Sequence, residues 1–422
     1  MTVTVEQVST RAALDEFIAM PLGLQPRNLA VPLLEASIRS WFTGRSPHPE
    51  PIDLLLARDS SGTVVGRTTS HTDRRLDAKF GERLQLFGAT EFRDGEAASA
   101  LFAELDRRAR ARSGGSADAL FGPVSLLPNQ AGGVITSGFG ERGFVDSAWN
   151  DEFVPIVYEA EGFERWGEAD TWLVEMGAAP AAEPTPAEWA AAGLTLAHGS
   201  KREMKRLVPE LLTLLNASFA QLPYYTEISA AEMASATDGL TFLLDEQLLL
   251  LARDSASGRA VAFVLVVPDI TEFVQRVGGR LGPLHQVQLL LTRGRYRREA
   301  ILVIQGTDPE RQGQGILSLL SRQLQANLVA GGYRALRSTY VGRDNPASTA
   351  QFARFGGRTL HGYTFYRRPL QQGQALDARA AAAGDSADAR GAVAPPPTTA
   401  ARPTAAAPPP AAPPPTSEGA TP

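Results

Sequence analysis

Short apolar runs alternate with stretches of helical hydrophobic spacing over residues 50–370, separated by polar or glycine-bearing turns. Leu54 to Ala57 and Val64 to Gly66 flank Asp59-Ser60-Ser61-Gly62, which predicts a hairpin. Gln85 to Ala89 predicts a strand. Glu96 to Ala111 follows as a helix with Ala100, Leu101, Ala103, Leu105 and Ala109 on its apolar side, and then Ala119 to Leu127 as a strand. Pro128 to Gly133 reads as a loop. The whole is an α/β pattern that starts once, stops, and starts again.

The stop is Gly177 to Pro186, whose alanines and prolines supply no core. The expected organisation is therefore a first α/β domain at 1–176, a linker at 177–191, a second domain at 192–370 and a tail at 371–422. In the second domain Leu194 to Ala197 predicts a strand, Met204 to Phe219 an amphipathic helix, and Ala230 to Ala236 another helix. Gln247 to Ala252 and Ala260 to Val267 form a hairpin across Asp254 to Gly258. Pro268 to Arg298 reads as an irregular insertion with one short helix. Ala300 to Gly306, Ile316 to Ala330 and Ala335 to Tyr340 then read as strand, helix, strand. Asn345-Pro346 places an N-cap before proline at the first helical position, and Thr359 to Tyr366 closes the domain as a strand. The tail has no aromatic residue and clusters of proline among alanines, a composition that predicts disorder.

Charge divides the two halves. Residues 1–191 hold 17 basic and 28 acidic side chains, whereas 192–370 hold 21 and 14, so a polyanionic ligand is expected to prefer the second half. Only three lysines stand beside 38 arginines, which reflects compositional bias rather than a nucleic-acid role, since the net charge is −5. The absence of cysteine excludes disulfides and thiolate chemistry. His198, His285 and His361 follow no metal-ligand spacing, and no metal is expected. No apolar run is long enough to cross a bilayer and no secretory signal is evident, so a cytoplasmic location without a membrane partner is expected.

One stretch carries candidate chemistry. The strand ending at Val303-Ile304-Gln305-Gly306 is followed by a turn through Gln312-Gly313-Gln314-Gly315 and a helix that opens at Ile316-Leu317. Unpaired N–H groups at a helix start, the helix dipole and glycines that admit close approach together make an anion cradle. In the first half the corresponding stretch, Thr90 to Glu96, has one glycine and three acids, which would repel a phosphate.

The turn Asp308 to Gly315 into a helix, and Asn345 leading a helix that ends Phe355-Gly356-Gly357, resemble the GNAT superfamily of acyl-CoA-dependent N-acyltransferases. The first half is similar to a degenerate copy, so the chain resembles tandem GNAT proteins over about 1–370. The resemblance implies two tandem mixed-sheet folds and an acetyl-CoA or other acyl-CoA co-substrate. Its pyrophosphate would be held by Gln312, Gly313, Gln314, Gly315, Ile316 and Leu317, its pantetheine would run along Val303, Ile304 and Gln305, and Asn345 would flank it. Leu317 departs from the small residue of the family pattern. Phe352 stands where a proton-donating tyrosine is usual, and phenylalanine has no proton to give. Tyr340 at a strand end is then the candidate acid, with Tyr363 and Tyr366 on the final strand as alternatives, and Glu299 is the candidate base. Tyr224 and Tyr225 occupy the loop that lines the acceptor site in the resembling fold.

Arg293, Arg295, Arg297 and Arg298 read either as ligands of a cofactor phosphate or as a solvated edge. The leading functional expectation is N-acylation of a small-molecule or peptide amine. A non-catalytic CoA-sensing or protein-binding module, and acyl or aminoacyl transfer from a carrier other than CoA, are the alternatives.

Overall fold

The computed structural model describes residues 2–177, 182–237, 243–296 and 298–370. The tail expected to be disordered lies outside the described residues. The first half runs β1 (Thr4–Gln7), α1 (Arg11–Leu24), α2 (Glu35–Phe42), β2 (Ile52–Arg58), β3 (Val64–His71), α3 (Arg74–Phe80), β4 (Leu84–Phe92), α4 (Gly95–Arg110), β5 (Ala119–Gly122), β6 (Val124–Ser125), β7 (Leu127–Gly132), β8 (Val134–Ser137), α5 (Phe153–Ala160) and β9 (Glu164–Glu175). The second runs α6 (Pro186–Ala191), β10 (Leu194–His198), α7 (Met204–Phe219), α8 (Ala230–Thr237), β11 (Leu249–Asp254), β12 (Ala260–Pro268), α9 (Thr271–Arg276), α10 (Pro283–Thr292), β13 (Glu299–Thr307), α11 (Ile316–Ala330), β14 (Ala335–Gly342), α12 (Pro346–Arg354) and β15 (Arg358–Pro369).

Local signals set many of these boundaries. Asp94 caps α4 by accepting from Ala97 N, and Asn345 caps α12 by accepting from Ser348 N with Pro346 behind it. Thr185 and Glu188 form a reciprocal capping box that starts α6 within the stretch read as linker. That short helix buries Trp189 at 6% exposure in the second half's core, so the linker's end does contribute apolar packing. Two further expectations change. Ala119 to Leu127 is not one strand but breaks at Pro123, which has no N–H to continue a ladder, into β5, β6 and the start of β7. The insertion at Pro268 to Arg298 holds two α-helices rather than one.

One mixed sheet carries both halves, in the order β1-β2-β3-β4-β5-β15-β9-β14-β13-β12-β11-β10, with β8 paired to β15. The two halves exchange their last strands. β15, from the second half, pairs with β5 from Tyr366↔Gly122 to Pro369↔Ala119, and β9, from the first half, pairs with β14 from Ala335↔Glu175 to Gly342↔Ala169. β15 and β9 then pair with each other at the centre.

The cores follow the exchange. Trp172 and Val174 of β9 lie in the second half's core with Leu250, Val264, Leu320 and Phe352. Tyr366 of β15 lies in the first half's core with Phe87, Leu101 and Phe102, its ring stacked 4.6 Å from that of Tyr158. Burying each of these large side chains contributes roughly 2–3 kcal/mol, so each half lends the other a substantial part of its stability.

Candidate active site

β13 and β14 run parallel but are paired only from Glu299↔Ala335 to Leu302↔Ser338, although β13 continues to Thr307 and β14 to Gly342. Each strand is held on its far side by a different neighbour. β12 follows β13 to Thr307, and β9 follows β14 to Gly342, so the two outer ladders draw the inner edges apart. A single side-chain link crosses the opening, Thr339 Oγ1 donating to Val303 O at 3.1 Å. The gap opens into a cavity of about 1080 Å³ that reaches between the two halves and is lined here by Val303, Ile304, Gln305, Tyr340 and Asn345.

Beyond the end of β13, Asp308 caps a short 3-10 turn at Pro309–Arg311, and Arg311 pairs with Asp254 at 3.0 Å. Gly313 and Gly315 then both take φ +75°, a conformation that a Cβ would strain. Gly315 is the N-cap of α11 and offers no side chain, so the N–H groups of Ile316 and Leu317 have no side-chain cap, while that of Ser318 donates to Gly315 O at 3.0 Å. Gln312 to Gly315 are exposed and Ile316 is buried. Leu317 packs partly into the second half's core, so its bulk does not cover the turn. None of the residues from Gln312 to Leu317 belongs to the lining of the cavity.

The equivalent place in the first half is filled. β4 and β5 pair from Leu84↔Ala119 to Leu86↔Phe121, and β6 then lies against β4 so closely that a Cβ on Gly88 would overlap the carbonyl of Val124. At the start of α4 the Asp94 carboxylate occupies the N-terminus itself.

No protein-family model and no curated protein sequence matches the chain. Solved structures do. A tandem GNAT protein from the clavulanic acid biosynthesis pathway superposes over 88% of this chain and 100% of its own, with TM-score 0.53 at 14% identity. A fungal multi-domain β-N-acetylglucosaminidase with a GCN5-related glucosamine N-acetyltransferase region matches over 87% of this chain, with TM-score 0.52 at 16% identity; the match spans 38% of that protein's length. The chain has a tandem GNAT fold.

Within the tandem GNAT fold the other expected site residues separate into two groups. Val303, Ile304, Gln305, Tyr340, Asn345, Tyr224 and Tyr225 all line the cavity. Glu299 does not. It sits at the opposite end of β13, where its carboxylate accepts from Arg142 at 2.7 Å and from Arg337 at 3.1 Å, and it ties the first half to the second. Asn345 spends its side chain on the α12 cap. Phe352 is 3% exposed and stacks on Trp172 at 5.9 Å, a packing residue of the exchanged core.

The three tyrosines differ in what their hydroxyls do. Tyr340 OH donates to the carbonyl of Pro128, and burial pushes its pKa upward. Tyr225 OH donates to Asn216 Oδ1 at 2.7 Å, fixing the loop between α7 and α8, and burial raises it as well. Tyr224 packs edge-on against Trp166, with ring centroids 5.9 Å apart. Its phenol is raised first by burial and then by the charge of Asp344.

Sequence reasoning missed the acidic character of the cavity. Its charged lining consists of Glu91, Asp146, Asp151, Glu232 and Asp344, with no lysine or arginine among the described lining residues. Glu91 is neutralised by Arg67 at 2.6 Å and Glu232 by Arg75 at 2.9 Å. Asp146, Asp151 and Asp344 form no ion pair among the described residues. Asp146 faces cavity solvent, yet the walls around it desolvate its carboxyl and raise its pKa. It sits at φ +64° in a loop whose Ala148 N–H donates to Tyr363 OH, and the Tyr363 ring stacks on Tyr340 at 5.8 Å. No sequence signal places that loop beside β13.

Proposed function

We propose that the protein is an acyl-CoA-dependent N-acyltransferase, with the cofactor held by the second half and a cationic amine acceptor entering between the halves. The observation that carries this reading is the parting of β13 from β14 beside a glycine-started helix with no side-chain cap, a pair of features the first half has filled. Acyl-CoA supplies a thioester acyl group to an attacking amine. Val303 to Gln305 have backbone groups on the open side of β13 for an extended amide-bearing arm, and Gly313 to Leu317 present N–H groups to a pyrophosphate.

The acceptor reading rests on charge. An ammonium ion is drawn to a cavity whose charged lining residues without an ion pair, among those described, are all carboxylates, and a phosphorylated or carboxylated acceptor is not. Asp146, with its raised pKa, is placed to take the proton that the amine must lose before it attacks. Tyr224, also in the cavity lining, holds a proton, because burial and Asp344 keep its phenol neutral. It is the donor that Phe352 cannot be, and Tyr340 is committed to Pro128.

Calorimetry with acetyl-CoA and longer acyl-CoAs tests the cofactor half of the proposal. Wild type is expected to bind, and Gly315→Glu is expected to lose at least about 100-fold in affinity, since it adds strain and a negative charge where the pyrophosphate would rest. No binding by wild type, or equal binding by the variant, overturns it. For the acceptor half, Asp146→Asn is expected to raise KM for a cationic amine by about 10-fold while leaving acyl-CoA affinity unchanged. An unchanged KM removes Asp146 from the acceptor site.

A further inference from the structure

The second half's positive charge does not gather at the cavity. From Phe273 to Arg298 the sequence has six arginines and no acid. Of these, Arg276, Arg280, Arg293, Arg295 and Arg298 are exposed. Arg280 reaches Glu35 at 3.7 Å, and the other four form no ion pair among the described residues.

Between the two arginine groups lies α10, which is turned the unusual way. Leu289 is its only buried residue, while Leu284 is 85%, Leu291 80%, Val287 56% and Leu290 43% exposed. Leu284, Val287 and Leu291 follow helical spacing and share one outward face. Four of the seven exposed large hydrophobic side chains among the described residues are on these ten, so the patch is not scattered surface apolarity. Beside it runs a groove of about 380 Å³ whose charged lining is Arg27, Arg276 and Arg280, with His285 next to them and no carboxylate.

We propose that α10 and its arginine flanks form a docking surface for an anionic phospholipid bilayer. A leucine face flanked in sequence by exposed guanidinium groups, four of them without an ion pair among the described residues, matches the two layers of such a surface, acyl chains within and phosphates at the rim. A protein partner would need acids around an apolar groove of complementary shape. A bilayer needs only the order of apolar centre and cationic border that the structure has. Among the described residues no helix is long and apolar enough to cross a membrane, so the mode of attachment is peripheral. The groove lined by Arg27 and Arg276 gives one lipid phosphate a seat next to the inserted leucines. The surface stands apart from the cavity and does not depend on the acyltransferase reading.

Co-sedimentation of the full chain with vesicles tests this. Phosphatidylcholine vesicles containing about one-third phosphatidylglycerol are expected to bring the protein down at low ionic strength, and pure phosphatidylcholine is expected to leave it in solution. Added salt should weaken the binding. Leu284→Ser/Leu291→Ser, at positions too exposed to support the fold, should reduce affinity at least about 10-fold, and Arg276→Glu/Arg293→Glu similarly.

Three results would overturn the proposal. One is wild type remaining in solution with anionic vesicles. Another is binding that the serine variant retains in full. The third is a lipid-free wild-type dimer that the same variant converts to monomer, which would assign the leucine face to a second copy of the chain.

Discussion

Residues 192–370 expressed alone are expected not to reach a cooperative fold, although the sequence presents them as a complete domain. Their sheet would end at β14, with the edge that β9 pairs from Ala335↔Glu175 to Gly342↔Ala169 left open. Their core would lose Trp172 and Val174, and Phe352 would lose the indole it stacks on. Residues 1–176 alone would lose β15 from beside β5 and Tyr366 from against Tyr158. Co-expression of the two segments should restore one complex with a single unfolding transition. A fragment 192–370 that by itself shows ordered aromatic circular dichroism and sharp thermal unfolding would count against this reading. Within the whole chain, Trp172→Ala is expected to cost about 3–5 kcal/mol through a cavity in the second half's core, despite the residue belonging to the first half's sequence.

The second large effect is acid destabilisation between pH 6.5 and pH 4.5, arising from His71. The ring is 2% exposed; Nε2–H donates to Leu126 O at 2.9 Å, so in the neutral ring Nδ1 accepts from Thr69 Oγ1 at 3.3 Å. Burial, with His48 nearby, brings its pKa down to about 3. Below its unfolded value of about 6.5 the unfolded chain takes up a proton that the native state refuses. Stability is therefore fully present above about pH 6.5 and falls as the pH drops toward 3, by about 2–3 kcal/mol at pH 4.5. His361, lowered chiefly by burial, adds in the same direction. The carboxylates of Asp59, Glu188 and Asp254, held at about 2 by hydrogen bonds and arginine partners, act only at lower pH. Denaturant titrations at pH 7 and pH 4.5 should show the loss in wild type and a flatter profile in His71→Gln. Equal stabilities at the two pH values would disprove the assignment.

How much of the site could be read in advance depended on how local each signal was. The turn Gln312 to Gly315, the strand before it and the helix after it were legible because glycine, proline and apolar spacing act over a few residues. The Asn345 cap was legible for the same reason. Tyr224 could be placed in a lining loop, but its role relative to Tyr340 rests on Pro128 and Asp344, one from each half. Glu299 looked like a base because it precedes β13; Arg142, more than 150 residues earlier in the chain, engages it instead. The insertion at Pro268 to Arg298 looked irregular because α10 shows leucines on the face that solvent meets. Periodicity reports an apolar stripe without saying which way it points.

The sequence by itself determined the two αβ halves, the hairpins, the helix caps and the glycine turn, since these depend on backbone preferences and side-chain spacing within single elements. Tertiary structure alone decided that β9 and β15 change places, that β13 leaves β14 after Leu302, and that the loop of Asp146 and Ala148 is tied to Tyr363, the ring stacked on Tyr340, beside a cavity with no lysine or arginine among its described lining residues. Strand pairing and cavity charge are sums over residues far apart in the chain. No local pattern contains them, because the free energy that selects them appears only when both halves pack into one sheet.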